Sequence, residues 1–418
     1  MNYKEDRIKI IVSAYACEPD LGSEIGVGWH WVLEMNKYFE LWVLTRRSNK
    51  THIEEWLELH PQGHEIHFLY WDLPDWARKW KKGLRGVRTY YNIWQHYTDR
   101  IVKATMKQND IKIYHLLTYG NALWPASSYG QKQFFVWGPI GGVDTIPEDY
   151  TRFYGRKWKN IEQLRRFIIM ALPFNRGFQK RCKNADLMFC KSYSMNDAIA
   201  EKYRHKAMLF TDVAVELVNN TQYARKRQQD DGLVRFLMVG RLDAWRGFDL
   251  AIEAVAQAIK ICPQIRLDIL GKGSDRERII TWIEKFDVKD YVTLHGQVPM
   301  DEYYQMMADC DVVLNPCLKE GAVTTAFDSM SFGKPLICID TGGYTRYFTD
   351  EYAVLIEKRS RCKVISDIVD AIVRLSDREV RNTMSEKALK AGGEYTWENK
   401  GLQIREAIMN AYSRVQNR

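Results

Sequence analysis

Short apolar runs alternate with longer polar segments along most of the chain. Each run has the length of one buried strand, and each intervening segment is long enough for an amphipathic helix. This alternation favours mostly parallel sheets covered by helices. In the first half, the predicted strands are 9–14, 41–45, 65–71, 111–117, 134–138 and 186–191. In the second half, they are 234–240, 266–271, 291–296, 311–316, 336–340 and 353–357.

A polar stretch separates the two series of strands. Residues 219–232, NNTQYARKRQQDDG, contain few apolar side chains, which is typical of a domain boundary. We therefore predict two similar α/β domains, at residues 1–217 and 218–397. A helical pattern then follows, and we expect the segment 398–418 to return to the first domain. Its predicted apolar face consists of Trp397, Ile404, Ile408, Ala411 and Val415.

Composition is that of a globular enzyme, with 46% hydrophobic and 27% charged residues among 418. The eight cysteines show no paired metal-ligand spacing, so we expect reduced thiols, a cytoplasmic location and no structural zinc. The first residues lack the apolar core of a signal peptide, and no run of about 18 apolar residues predicts a membrane span.

Positive charge is concentrated in two segments of the first half, 74–107 and 152–183, and the chain carries a net charge of +8. Both segments mix basic residues with aromatic or apolar ones, a composition typical of a surface that contacts an anionic membrane. An ordinary solvated basic face is the main alternative. Nucleic acid is a weaker one, since no recognised binding motif accompanies the charge.

Two carboxylates, Glu320 and Asp328, belong to a predicted strand–helix–strand unit at 315–343. Their spacing of eight residues is close to two helical turns, so both can face one ligand if they lie on or just before the same helix. Such acceptors suit a polyol such as a ribose or a sugar. They could equally well only complement the dipole of the helix.

Two arginines follow the first predicted strand of the second domain, in the segment Gly240-Arg241-Leu242-Asp243-Ala244-Trp245-Arg246-Gly247. Ligands of open α/β sheets bind at the carboxyl ends of strands, and guanidinium groups there can hold a pyrophosphate. Surface arginines at a helix start are the structural alternative. His115 also ends a predicted strand, although a lone histidine is more often structural.

Glycine-rich loops follow several strands. Gly22, Gly26 and Gly28 lie in CEPDLGSEIGVGWHW, and two further loops are GPIGG at 138–142 and GKGS at 271–274. Such loops let backbone amides approach a phosphate or a sugar, or they form only tight turns. The order of the glycines does not match the dinucleotide fingerprint, so NAD binding is not supported.

Taken together, these motifs resemble the retaining glycosyltransferases of family 4, which have the GT-B fold, over nearly the whole chain. The segment 320–328 is similar to the family's Glu-x7-Glu motif, and GRLDAWRG is similar to its Gly-Arg-Leu…Lys-Gly segment. YACEPDLGSEIGVGW and GPIGG resemble loops of its polysaccharide-assembly members. The resemblance implies two Rossmann-like domains that face each other across a cleft, the first for the acceptor and the second for the nucleotide-sugar.

The resemblance also implies roles for individual residues. Arg241 and Arg246 would hold the donor diphosphate, Glu320 would contact the transferred sugar, and Asp328 would contact the ribose. His115 matches a strand-end histidine near the donor sugar. The segment 295–298 and the loop 271–274 correspond to positions where the backbone meets the base. The further implied donor contacts are Gly22, Gly240, Gly271, Gly273, Gln297, Val298, Ala322, Val323 and Thr324.

The chain departs from the family pattern at three places. Asp328 replaces the second Glu, Arg246 replaces Lys, and Ala322-Val323 replaces an aromatic residue and a glycine. The expected activity is metal-independent transfer of a hexosyl group, with retention, from a UDP- or GDP-sugar to a lipid-linked saccharide at the inner face of a bacterial membrane. A sugar-nucleotide-binding scaffold subunit is the alternative from another class, and an epimerase or phosphorylase of the same fold fits the motifs less well.

Overall fold

The computed structural model describes residues 7–63, 65–78, 86–127, 133–217, 222–223, 231–319 and 323–417. The chain forms two compact units, each built around one parallel sheet. Unit 1 takes the described residues of Met1–Val143, Met170–Asp212 and Trp397–Arg418. Unit 2 takes those of Asp144–Ile169 and Val213–Thr396.

Unit 1 contains a seven-stranded sheet in the order β3-β2-β1-β4-β5-β6-β7, and every neighbouring pair is parallel. Its order reverses between β1 and β4, which creates a topological switch point at the carboxyl edge of the sheet. The strands are β1 (Lys9–Ser13), β2 (Glu40–Arg46), β3 (His67–Trp71), β4 (Ile113–Leu116), β5 (Phe134–Ile140), β6 (Leu187–Cys190) and β7 (Ala207–Leu209).

Unit 2 contains a six-stranded sheet in the order β10-β9-β8-β11-β12-β13, again parallel throughout. Here the order reverses between β8 and β11. The strands are β8 (Val234–Val239), β9 (Ile265–Leu270), β10 (Val292–Gly296), β11 (Val312–Asn315), β12 (Leu336–Ile339) and β13 (Ala353–Ile356).

Helices connect and cover the strands, as parallel pairing requires. The first nine are α1 (Ser23–Asn36), α2 (Lys50–Leu59), α3 (Asp75–Arg78), α4 (Val87–Asn109), α5 (Glu148–Thr151), α6 (Arg156–Met170), α7 (Arg176–Asn184), α8 (Tyr193–Ala198) and α9 (Glu201–Arg204). The others are α10 (Phe248–Ala258), α11 (Arg276–Lys285), α12 (Met300–Asp309), α13 (Thr324–Ser331), α14 (Arg361–Leu375), α15 (Arg378–Glu394) and α16 (Trp397–Gln416).

All twelve predicted strands are present. The interior strands are buried on both faces, and such strands read as continuous apolar runs. The short edge strand β7 was not predicted. Helix α16 belongs to unit 1 and packs on α1. Four residues of its predicted apolar face are buried, whereas Val415 is 42% exposed.

The segment 144–169 differs from the prediction, which placed it in the first domain; it belongs to unit 2. Three contacts attach it there. The hydroxyl of Tyr150 donates to the carbonyl of Arg359 at 2.6 Å, and the backbone N–H of Arg361 donates to Asp149 at 2.9 Å. The guanidinium of Arg361 also lies 4.2 Å from the centre of the Phe153 ring. These partners are about 200 residues apart in the chain, so no local pattern could indicate the attachment.

Candidate functional site

The two predicted arginines of unit 2 lie at the carboxyl edge of the sheet, in the turn after β8. We call residues 240–247 the arginine turn. Arg241 is half exposed, its Nε donates to the carboxylate of Asp243, and its guanidinium carbon lies 5.5 Å from the centre of the Trp245 ring. Arg246 ends a short 3-10 turn, and its guanidinium lies against the end of β8, where a Cβ on Gly240 would be 3.7 Å from Nη1. The structure therefore brings the two guanidinium groups to one strand end.

Glycines allow the loops after β8 and β9 to touch backbone to backbone. Gly271 has φ +137°, and a Cβ at this position would lie 1.9 Å from the carbonyl oxygen of Gly240. A Cβ on Gly273 would lie 2.3 Å from the carbonyl oxygen of Leu242. Because no side chain fits at either position, glycine is required for this packing. The predicted residues Gly240, Gly271 and Gly273 thus lie next to the arginine turn.

The remaining predicted contacts on this side follow β10. The backbone N–H of Gly271 donates to the carbonyl of Gly296 at 2.7 Å, which joins the loop after β9 to the end of β10. Gln297 and Val298 come next, exposed and partly exposed respectively. His295 contacts Asp268 at 2.7 Å, a pair on the adjacent strands β10 and β9.

Asp328 lies on α13 and is only 6% exposed. The hydroxyl of Tyr303, on α12, donates to its Oδ2. Burial raises the pKa of the Asp328 carboxyl to about 7, although the hydrogen bond from Tyr303 opposes this shift. The carboxyl group is therefore partly protonated near neutral pH and is held by a neighbour that the sequence did not indicate.

Val323 is buried and lies directly before α13, and Thr324 is the first residue of this helix. The predicted site residues Glu320 and Ala322 lie outside the described residues. Lys319 is the last described residue before them, and its ammonium group forms an ion pair with Glu162 of α6. The Lys319 Nζ also lies 4.7 Å from the centre of the Trp245 ring. This ion pair connects α6 to the segment before Glu320 and was not predicted.

His115 lies inside unit 1 rather than at an accessible edge. It is 0% exposed, and its Nε2 contacts the carbonyl oxygen of Gly138 at 2.7 Å. Burial lowers the pKa of the His115 imidazole to about 4, so the ring is neutral at pH 7. Trp31 and Phe189 pack around it. This environment favours a structural role for His115 over the expected catalytic one.

Gly22 precedes α1 in unit 1 and is exposed. The two following glycines of the motif have a packing explanation. A Cβ on Gly26 would lie 1.8 Å from the carbonyl oxygen of Leu21, and one on Gly28 would lie 2.1 Å from that of Ala16. The loop GPIGG is partly strand, because β5 extends to Ile140.

Within the described ranges, no helix has the length and apolar character needed to cross a membrane. No group of three or more His, Cys, Asp or Glu side chains in that same part of the chain is arranged to bind a metal ion. Seven of the eight cysteines are buried, and Cys362 is exposed.

Part of the chain is similar to known glycosyltransferases. Residues 219–391 match the family model described as Glycosyl transferases group 1. The matched residues include the arginine turn and the loops beside it. An uncharacterized glycosyltransferase of Methanocaldococcus jannaschii is 22% identical over 232 residues, 55% of this chain and 61% of that protein. The protein named putative colanic acid biosynthesis glycosyltransferase WcaL, from Salmonella typhimurium, is 28% identical over 127 residues. The match covers 29% of this chain and 31% of WcaL.

Solved structures extend the likeness to both units. A sucrose-phosphate synthase from Thermosynechococcus elongatus has a TM-score of 0.65 at 14% identity, covering 97% of this chain and 100% of its own. Anabaena HepE in complex with UDP and glucose has a TM-score of 0.58 at 15% identity, with coverage of 97% and 100%. The chain therefore has the GT-B fold, and the match to the group 1 glycosyltransferase model lies in its second unit. It spans less than two thirds of the length of the curated relatives it matches.

Proposed function

We propose that the protein is a retaining glycosyltransferase of family 4 that transfers a hexosyl group from a UDP- or GDP-sugar to a sugar hydroxyl. The observation that carries the proposal is the pair Arg241 and Arg246 at the carboxyl end of β8, within the segment that matches the glycosyltransferase model. The likeness to HepE, which was solved with UDP and glucose, supports a nucleotide-sugar as the donor.

The proposed mechanism places no covalent step on the protein. The acceptor hydroxyl attacks the anomeric carbon on the face from which the diphosphate leaves, and a phosphate oxygen accepts its proton. Arg241 and Arg246 stabilise the charge that develops on the leaving diphosphate, so no metal ion is needed. Glu320 contacts the transferred sugar. Asp328 binds the ribose through Oδ1, since Oδ2 accepts from Tyr303.

Calorimetric titration with UDP-, GDP- and dTDP-sugars tests the donor site. Arg241→Gln and Arg246→Gln should each weaken binding of the preferred nucleotide about tenfold to a hundredfold, the value of a charge-assisted hydrogen bond. The control is Arg374→Gln, at an exposed position in the last turn of α14. Failure of every nucleotide-sugar to bind, or unchanged affinity in both variants, would contradict the proposal. NMR of the product anomer decides retention.

The proposed acceptor is a lipid-linked saccharide of bacterial surface polysaccharide synthesis, reached at the inner face of the membrane. Segment 152–183 supports this, because α6 exposes Leu164 and Phe167 by 61% and 70% in unit 2. In unit 1, Met170 and Phe174 are 70% and 86% exposed. Basic residues also lie on α6. In segment 74–107 the support is weaker: Trp76 is 75% exposed, but the aromatic residues of α4 are largely core, and residues 79–85 lie outside the described ranges.

Liposome flotation at low salt tests the membrane contact. We expect binding to vesicles with anionic lipid and a large loss in Leu164→Ser/Phe167→Ser. Leu59→Ser is the control, since Leu59 is 78% exposed on α2, outside both basic segments. Equal failure to bind neutral and anionic vesicles would remove the membrane claim.

The burial of Asp328 favours a second candidate, a sugar-nucleotide-binding regulatory or scaffold subunit of the same fold. A carboxyl group that is engaged by Tyr303 and 6% exposed is a weaker ribose ligand than an exposed glutamate. The two functions are separated by one measurement. Tight nucleotide binding with neither donor hydrolysis nor transfer to any saccharide would establish the second candidate.

A further inference from the structure

Three aromatic rings and two guanidinium groups form a continuous row at the carboxyl edge of the unit 1 sheet. The centre of the Tyr119 ring lies 4.8 Å from that of Tyr15 and 5.2 Å from that of Trp124. Arg46 lies over Tyr15 at 4.9 Å, and Arg88 lies over Trp124 at 5.6 Å. We call these five residues the aromatic row.

The row occupies the switch point of the sheet. Tyr15 follows β1 and Tyr119 follows β4, the two neighbouring strands between which the strand order reverses. Arg46 is the last residue of β2. Open α/β sheets bind their ligands in the crevice outside the carboxyl ends of strands at this point. No residue of the row was among the predicted site residues.

Tyr119 is held in an unfavourable conformation. Its φ is +57°, a region that bulky residues rarely adopt, and its N–H donates to Glu24 Oε1 at 2.7 Å. Strained residues of this kind persist where the surrounding structure determines them, and they cluster at ligand sites. Tyr119 and Trp124 are partly exposed, whereas Tyr15 is 1% exposed and forms the base of the row.

The two arginines retain hydrogen-bonding capacity. Arg46 uses Nε for the carbonyl oxygen of Tyr15, at 3.2 Å, which leaves its two terminal amino groups. Neither Arg46 nor Arg88 forms an ion pair with a carboxylate in the described part of the chain. The nearby acids are occupied: Glu24 accepts from Tyr119, and Asp72 accepts from the hydroxyl of Tyr90 at 2.6 Å.

We propose that the aromatic row is an acceptor subsite for an anionic saccharide, with sugar faces against Tyr119 and Trp124 and a phosphate or carboxylate on Arg46. Partly exposed aromatic rings suit the apolar faces of pyranoses, and a guanidinium suits a planar or tetrahedral oxyanion. Arg46 should dominate, since it is partly buried and fixed by a backbone carbonyl, whereas Arg88 is exposed. The role of the row as an acceptor site rests on the proposed function, whereas binding of an anionic saccharide to the row does not.

Saturation-transfer NMR with the full chain tests the subsite without a donor. The probes are methyl glucoside, glucose 1-phosphate, glucuronic acid and a short-chain isoprenyl diphosphate glucose. We expect the anionic probes to bind at least about tenfold more tightly than methyl glucoside. The pattern among them identifies the source of the charge: a sugar phosphate, an acidic sugar or a lipid diphosphate.

Arg46→Gln should abolish this advantage, and Arg88→Gln should reduce it less. Arg405→Gln is the matched control, because Arg405 also stacks on a ring, that of Tyr38 at 5.8 Å, but belongs to α16. Circular dichroism and the melting temperature verify folding. Trp124→Leu should weaken all four probes alike, and this variant tests the stacking even if Arg46→Gln fails to fold.

Equal binding of neutral and anionic probes, an anionic advantage that is unchanged in Arg46→Gln, or unchanged affinity for all four probes in Trp124→Leu would overturn the subsite. Nucleotide-sugar binding measured on the same samples separates this outcome from failure of the proposed function. If the wild-type protein binds a nucleotide-sugar but shows no preference for the anionic probes, only the subsite is refuted. Anionic saccharide binding without nucleotide binding would refute only the donor site.

Discussion

Removing one partner of the buried ion pair between Glu162 and Lys319 should destabilise unit 2 strongly. The two side chains are 6% and 11% exposed, so little water can replace a lost partner. Breaking a buried pair from one side typically costs about 3–5 kcal/mol, because the remaining charge is uncompensated. For Glu162→Gln we expect the lower end, about 3 kcal/mol. The amide oxygen can still accept one hydrogen bond, and the ammonium group keeps the ring of Trp245 at 4.7 Å.

The loss of stability in Glu162→Gln should depend on pH. Burial lowers the pKa of Lys319, while Glu162 raises it, so the variant lowers this pKa further. Between the folded-state pKa and the ordinary value for lysine, the unfolded chain binds more protons, and stability rises with pH. In Glu162→Gln this window begins at a lower pH. The deficit relative to wild type should therefore be smaller at pH 9.5 than at pH 7.

Denaturation followed by tryptophan fluorescence provides the measurement, at both pH values. Glu351→Gln is the control, because its partner Lys387 and Glu351 itself are 45% and 66% exposed, and such pairs contribute less than about 1 kcal/mol. The double variant Glu162→Leu/Lys319→Met should lose less stability than Glu162→Gln alone, since it removes both charges of the pair, although Arg165, whose Nε lies 3.9 Å from Glu162 Oε1, remains. A deficit for Glu162→Gln no larger than that for Glu351→Gln would refute this reasoning.

Two further predictions concern unit 2. The pKa of Asp328 is about 7 in the folded state and about 4 in an unfolded chain. Between these values the folded chain binds more protons, so the contribution of Asp328 to the free energy of unfolding should fall by about 4 kcal/mol from pH 4 to pH 7 and above. Denaturation of wild type and Asp328→Asn between pH 4.5 and 8 tests this, and an equal slope in both would contradict it. Gly247 has φ +76°, and a Cβ there would lie 2.2 Å from the carbonyl oxygen of Pro316, so Gly247→Ala should cost more than about 1 kcal/mol. Gly393→Ala, in α15 with nothing within 4 Å of the added Cβ, should instead be neutral or stabilising by up to about 1 kcal/mol in the same melting assay.

Local chemistry made much of the fold predictable. The interior strands are buried on both faces, so their sequences are continuous apolar runs bounded by polar loops. The glycines after β8 and β9 could be recognised as loop residues, because the pattern that indicates a loop extends over only a few neighbouring positions. The arginine turn was identified from a strand end followed by two arginines and two glycines, and the structure places these residues side by side.

Some predicted site residues have different surroundings from those expected. His115 does end a strand, but whether a strand-end side chain is accessible depends on what packs over it, and Trp31 and Phe189 do so here. Asp328 has a helical position suited to a ligand, yet Tyr303 from another helix occupies one of its oxygens. Accessibility and hydrogen bonding of a side chain are set by neighbours distant in sequence.

The sequence by itself determined the two parallel sheets, the polar stretch between them and the terminal helix, because these depend on the period and polarity of adjacent residues. Only the tertiary structure decided that α6 belongs to unit 2, where Glu162 meets Lys319 across 157 positions. It likewise assembled the aromatic row from the ends of β1, β2 and β4 and from α4. Contacts of this kind follow from strand order, which a one-dimensional pattern of hydrophobic positions does not specify.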